Sequence, residues 1–239
     1  MSTGATANSK PKLAMEPADG NLIIDTNDLL VGDILLYRPR DPKIFQRGIS
    51  KATDSPYTHA AIYIGDGFTA DSNFKPGVRK NPLSDLLVTA KYVAVLRSQA
   101  VFGQGRKQAL QDFVDDVVRN NKFYNILSLS NFIGSQDDHF ANQLQYIAEN
   151  YGKSSSNDEL AIQRFICSAF VVACYTAVGI IDKTAQVAYT PEYFSPGHLA
   201  ADPTFGWLLG YLVPHGETVP DDDPCRSSAA WKDTGSRWW

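Results

Sequence analysis

Cysteine, histidine, basic clusters and long apolar runs are all scarce in this chain, and each scarcity removes a class of protein. Cysteines number three, at 167, 174 and 225. An odd, low count makes no disulfide framework, and no Cys-x-x-Cys pair starts a zinc site. The four histidines are scattered, so a metal centre would need ligands from distant segments. No basic cluster exceeds two residues and the formal net charge is -4. Nucleic-acid binding, which needs a concentrated basic surface, is not expected. No stretch is long and apolar enough to span a bilayer. Residues 1–20 lack the apolar core, roughly 7–15 residues long, of a secretory signal. The expectation is synthesis in the cytoplasm without a Sec-type signal. Export by a specialised secretion system that reads no such signal is compatible with it.

What is present is an ordinary globular composition, 44% hydrophobic and 20% charged over 239 residues. That suits one domain with a core large enough to need no staples. The expected organisation is a disordered arm over 1–20, one domain over 21–215, and a poorly ordered tail over 216–239. Within the domain, Leu22 to Leu30 reads as a short strand and a turn. Ile34 to Tyr37, between Gly32 and Pro39, reads as a buried strand. The apolar positions Ile44, Phe45, Ile49 and Ala52 fit a short amphipathic helix that Ser55-Pro56 ends.

Next comes Tyr57-Thr58-His59-Ala60-Ala61-Ile62-Tyr63-Ile64, a strand opened by a histidine and closed by Gly65-Asp66-Gly67. The following run, Phe68 to Phe74, alternates apolar and polar residues and carries Asp71. A two-residue loop would pair Ile62 with Asp71 and turn the carboxylate away from His59. A three-residue loop, Gly65 to Gly67, pairs Ala61 with Asp71 and puts both on one face. The second register is the expectation, because Gly67 suits the left-handed position closing such a loop.

Further on, Pro82 to Leu87 reads as a helical turn and Tyr92 to Leu96 as a strand. Arg106 to Asn120 reads as a helix, with Leu110, Phe113, Val114 and Val117 at helical spacing. Residues 126–152 suggest one or two short helices, and 153–159 a solvated loop. Arg164 to Val178 is an apolar, buried helix with Gly179 as its cap. Residues 190–203 are rich in turn formers, and Trp207 to Val213 suits a last strand.

Cys167 stands near the start of that apolar helix. There, unpaired N–H groups and the helix dipole stabilise a thiolate and offer part of an oxyanion hole. Cys174, two turns deeper, is expected to be an inert core thiol. Cys225 falls in the expected tail with no base nearby. Taken singly, Cys167 suits a buried small residue, His59 a hydrogen-bonded core histidine, and Asp71 a surface carboxylate. A histidine on a strand with a carboxylate on the next is also what a cysteine hydrolase needs for its base.

Gly32-Asp33-Ile34-Leu35, Ser55 to Gly67, and Phe165-Ile166-Cys167-Ser168-Ala169-Phe170 with Tyr175 together resemble the permuted NlpC-type, YiiX-like branch of papain-like cysteine hydrolases. The order, histidine before cysteine, is that of the permuted branch. The resemblance spans roughly residues 29–212, with 125–160 matching poorly. It implies an α+β fold, circularly permuted papain-like, with a small antiparallel sheet against helices and the nucleophile at a helix N-terminus. It also implies Cys167 as nucleophile, His59 as base and Asp71 as the residue that orients it. Many permuted members carry Glu at that third place, so the shorter Asp has less reach; Asn73 and Asp66 are the fallback orienters. Tyr57 is a candidate to line the site or assist the oxyanion.

The implied function is a peptidase or amidase working by Cys-His-acid acyl transfer. Cell-wall peptides are the leading substrates, for a secreted toxin or effector faced by an immunity or inhibitor protein. An intracellular deconjugating enzyme fits the same chemistry. Acyl-lipid or ester hydrolysis or transfer, as in relatives of lecithin:retinol acyltransferase, is the alternative enzyme. A non-catalytic binding module is the alternative outside enzymes. Neither motifs nor resemblance calls for a cofactor.

Overall fold

The structure, a computed structural model, describes residues 22–73, 77–119, 167–182, 185, 188–189 and 194–227. Expectations for residues 1–20, 120–166 and 228–239 lie outside these. Among the described residues six strands form one antiparallel sheet: β1 (Ile34–Pro39), β2 (His59–Gly65), β3 (Phe68–Ser72), β4 (Val78–Pro82), β5 (Ala90–Arg97) and β6 (Trp207–Leu212), in the order β4-β3-β2-β1-β5-β6. Among the described residues six α-helices accompany it: α1 (Ile44–Ala52), α2 (Leu83–Thr89), α3 (Gln104–Arg119), α4 (Cys167–Ala177), α5 (Pro196–Ala201) and α6 (Pro224–Ser227). The fold is α+β. Among the described residues no helix is long and apolar enough to cross a membrane.

Strand alternation divides the core in two, as a period of two requires. Ile34, Leu36, Ala60, Ile62, Ala94 and Leu96 join α3 and α4 in the larger cluster. Leu35, Ala61, Tyr63, Val93 and Val95 face the smaller one, which α2 covers with Leu83, Leu86 and Leu87. The helix α4 is apolar all round and is buried from Cys167 to Thr176, as such a helix must be. It packs chiefly on β2, then on α3 and β3. Gly179, at φ +70, takes the left-handed cap position at its far end, and the Ile180 N–H reaches back to Tyr175 O.

Several expectations need correction. Residues 78–82, where the sequence suggests no strand and a helical turn is expected from Pro82, form edge strand β4; its Arg, Lys, Asn and Pro hide the strand pattern but suit an edge. Ser195 caps α5, with Pro196 in its first turn, in a stretch read as turns. The larger correction concerns the tail. Residues 216–227 fold onto the domain, with Asp223 and Cys225 each 1% exposed. The fully buried Tyr57, Tyr92 and Tyr211 all donate hydroxyl hydrogen bonds to the Asp223 carboxylate, at 2.6, 2.5 and 2.8 Å. A tail rich in Asp and Pro carries no apolar periodicity, so this polar anchor has no pattern to betray it.

Candidate active site

The hairpin joining β2 and β3 sets the site's register by a route different from the expected one. Asp66 and Gly67 both have positive φ, 50° and 76°, as the central residues of a type I′ turn require, and Gly65 pairs with Phe68. That is a two-residue turn. A bulge between Tyr63 and Gly65 then shifts the pairing by one residue, and Ala61 comes opposite Asp71. The expected register therefore holds, through a bulge and not a longer loop. A one-residue slip would send Asp71 to the other face.

His59 opens β2, and its Nε2 lies 2.8 Å from Asp71 Oδ2. The short aspartate reaches. Its carboxylate is nearly buried, 6% exposed, and held on both oxygens. Asn73 Nδ2 donates to Oδ2 at 2.9 Å, and Asn81 Nδ2 to Oδ1 at 2.8 Å. Arg79, opposite Asp71 on β4, approaches Oδ1 at 3.6 Å, a partly exposed and weak pairing. Asn73 thus supports the carboxylate instead of replacing it, and Asp66 is exposed in the turn. Asn81 and Arg79 escaped the sequence reading because β4 itself did. Had β4 been read as a strand, alternation would have placed both on the Asp71 side.

Cys167 is the first described residue of α4 and is 6% exposed. The His59 ring and the backbone amides of Ala60 and Ser168 stand close enough to its sulfur to act on its ionisation. Burial by itself would raise the Cys167 pKa; the charge and hydrogen bond of His59, with those two amides, hold it below its ordinary value. For His59, burial pushes the pKa down, and the Cys167 charge, then the Asp71 hydrogen bond, overcome that and carry it up to about 10. For Asp71, burial acts upward, while His59 and then Arg79 and Asn73 bring the pKa below 3.8. The three groups favour thiolate, imidazolium and carboxylate together.

Neighbouring residues hold the pair in place. Tyr37, opposite His59 on β1, sets its ring edge-on to the imidazole at 6.3 Å. Its hydroxyl donates to Thr89 O at 2.7 Å, which fixes the ring. The Ser168 hydroxyl donates to Phe194 O and ties α4 to the chain leading into α5. Neither contact has a sequence signal, since both partners are remote.

The remaining candidates fall outside the constellation. Tyr57 is fully buried and committed to Asp223, so it is not the oxyanion donor it was a candidate to be. Cys174 is fully buried in the core, where desolvation pushes its thiol up, as expected. Cys225, placed by expectation in a loose tail, is instead a buried thiol pushed up to about 12, by desolvation first.

A thiol with lowered pKa, beside an imidazole oriented by a fixed carboxylate, can act as a nucleophile and base pair. No family model matches this chain, and no curated protein matches it.

Proposed function

We propose that this chain is a cysteine hydrolase of the permuted papain-like type, cleaving amide bonds in peptides, with cell-wall peptides as the leading substrate class. The observation that carries the reading is a single one: His59, its Nε2 held by Asp71 at 2.8 Å, stands beside Cys167 closely enough for each to shift the other's ionisation. The chain order, histidine strand before cysteine helix, and the packing of α4 on β2 suit the permuted arrangement.

In the proposed mechanism the Cys167 proton passes to His59, and the thiolate attacks the amide carbonyl carbon. Charge builds on the carbonyl oxygen, and backbone N–H groups beside Cys167 donate hydrogen bonds to it. As the tetrahedral intermediate collapses, the imidazolium gives its proton to the leaving amine. Water, deprotonated by His59, then attacks the thioester and regenerates the thiol. Throughout, Asp71 keeps Nε2 protonated, so the other nitrogen carries the mobile proton.

The test is incubation of the protein and its Cys167→Ala variant with muropeptides and with phospholipids, cleaved bonds being identified by mass spectrometry. Amide cleavage only with Cys167 present is the expected result. Cleavage that persists in the variant contradicts the reading, and ester cleavage alone moves the substrate to acyl lipids.

A further inference from the structure

Beside the His59 strand lies a cleft of about 470 Å³ between α1 and the ends of β1 and β2. Arg38, Arg47 and Lys51 line it, against the single carboxylate of Asp54. The cluster is conspicuous in a chain of net charge -4. Among the described residues none of the three cations makes an ion pair. Arg38 instead donates to the Tyr92 hydroxyl at 2.6 Å, and Arg47 Nε to Pro42 O at 3.0 Å.

Thr58 supplies an independent sign. It lines the same cleft and is 4% exposed, yet its hydroxyl has no hydrogen-bond partner among the described residues. Buried hydroxyls are nearly always partnered, so an orphan on the wall of a basic cleft points to a ligand that accepts its hydrogen bond. Two guanidinium forks and an ammonium suit an oxyanion, carboxylate or phosphate, which accepts from all of them. Thr58 directly precedes His59 in the chain, so the cleft opens at the end of the strand that carries the base.

We infer that this cleft is a subsite for an anionic group, phosphate or carboxylate, carried by the substrate beside its scissile carbonyl. The assignment to substrate rests on the acyl-transfer reading; the anion site does not. The probe is inorganic phosphate, with acetate as a carboxylate arm, titrated into full-length Cys167→Ala protein and followed by amide chemical shifts. Saturable shifts across 38–58 are expected, weakening as ionic strength rises.

Affinity should fall at least fivefold in an Arg47→Gln/Lys51→Gln double variant, both side chains being exposed and their loss harmless to packing. Tighter phosphate assigns a phosphoryl group, and acetate equal or tighter assigns a carboxylate. Thr58→Val, of the same shape, should also weaken phosphate without lowering the melting temperature. No saturable shift with either anion, or unchanged affinity in the double variant or in Thr58→Val, overturns the proposal. Binding without His59-dependent alkylation of Cys167 keeps the anion site and removes the acyl-transfer reading.

Discussion

Replacing Asp71 by Asn keeps the side chain's shape and removes its charge. The carboxylate accepts from His59 and Asn73 on Oδ2 and from Asn81 on Oδ1, with Arg79 beside it. Every neighbour is a donor. An asparagine amide must therefore aim its NH2 group at donors whichever way it flips. If the NH2 faces His59, Nε2 becomes the acceptor and the proton moves to the other nitrogen, where it can no longer receive the Cys167 proton. If it faces Asn81 and Arg79, the imidazolium keeps a neutral acceptor but loses the carboxylate charge.

A hydrogen bond to a charged group contributes about 1.5–3 kcal/mol. At about 1.4 kcal/mol per tenfold, losing one lowers the reactive thiolate–imidazolium population about 10- to 100-fold below the pH where Cys167 ionises unaided. The assay is the rate of iodoacetamide modification of Cys167 between pH 5 and pH 9, read by intact mass. The Asp71→Asn rate should fall by that factor near pH 6 and approach wild type at alkaline pH. Asn81→Ala, which leaves the charge in place, should cost only a few-fold. A wild-type profile in Asp71→Asn would refute the orienting role.

Three further outcomes are expected. Asp223→Ala strips three buried tyrosine hydroxyls of their acceptor. At about 1 kcal/mol or more each, this should cost about 3 kcal/mol, or roughly 6–12 °C in melting temperature for a chain of this size; an unchanged melting temperature would return residues 216–227 to the status of a tail. Arg97→Ala leaves the 2%-exposed Asp33 without its two-pronged partner, and urea unfolding should show a loss of about 2–3 kcal/mol, discounted for the partial exposure of Arg97. Arg97→Lys should restore only part of it, and full restoration would deny the fork's importance. Amide turnover should rise with pH through the lowered Cys167 value, hold across neutral pH, and fall near the His59 value of about 10 as the imidazolium loses the leaving-group proton. Alkylation needs only the thiolate and should not fall there. A coincident alkaline loss in both would contradict the assigned roles.

Elements with strong internal patterns were legible. The apolar run of β1, the Leu110–Val117 periodicity of α3 and the glycine-capped α4 lie close to where the sequence puts them. His59, Asp71 and Cys167 each belong to a local motif, and the structure brings them near one another. What escaped depends on remote partners. The polar edge strand β4 is held by pairing with β3, and Asn81 matters only once that pairing exists. Asp223 is buried by three tyrosines from distant segments, which no spacing within residues 216–239 encodes. The hairpin shows a subtler limit: loop length and register are not the same quantity once a bulge intervenes.

The most direct test compares iodoacetamide modification of Cys167 in wild type and in His59→Ala at pH 6. Cys167 ionises there only with help from His59, while Cys174 and Cys225 are buried thiols with raised pKa values. Wild type should take up one label, at Cys167, at least tenfold faster than the variant. Equal rates in the two proteins would contradict the claim that His59 activates Cys167.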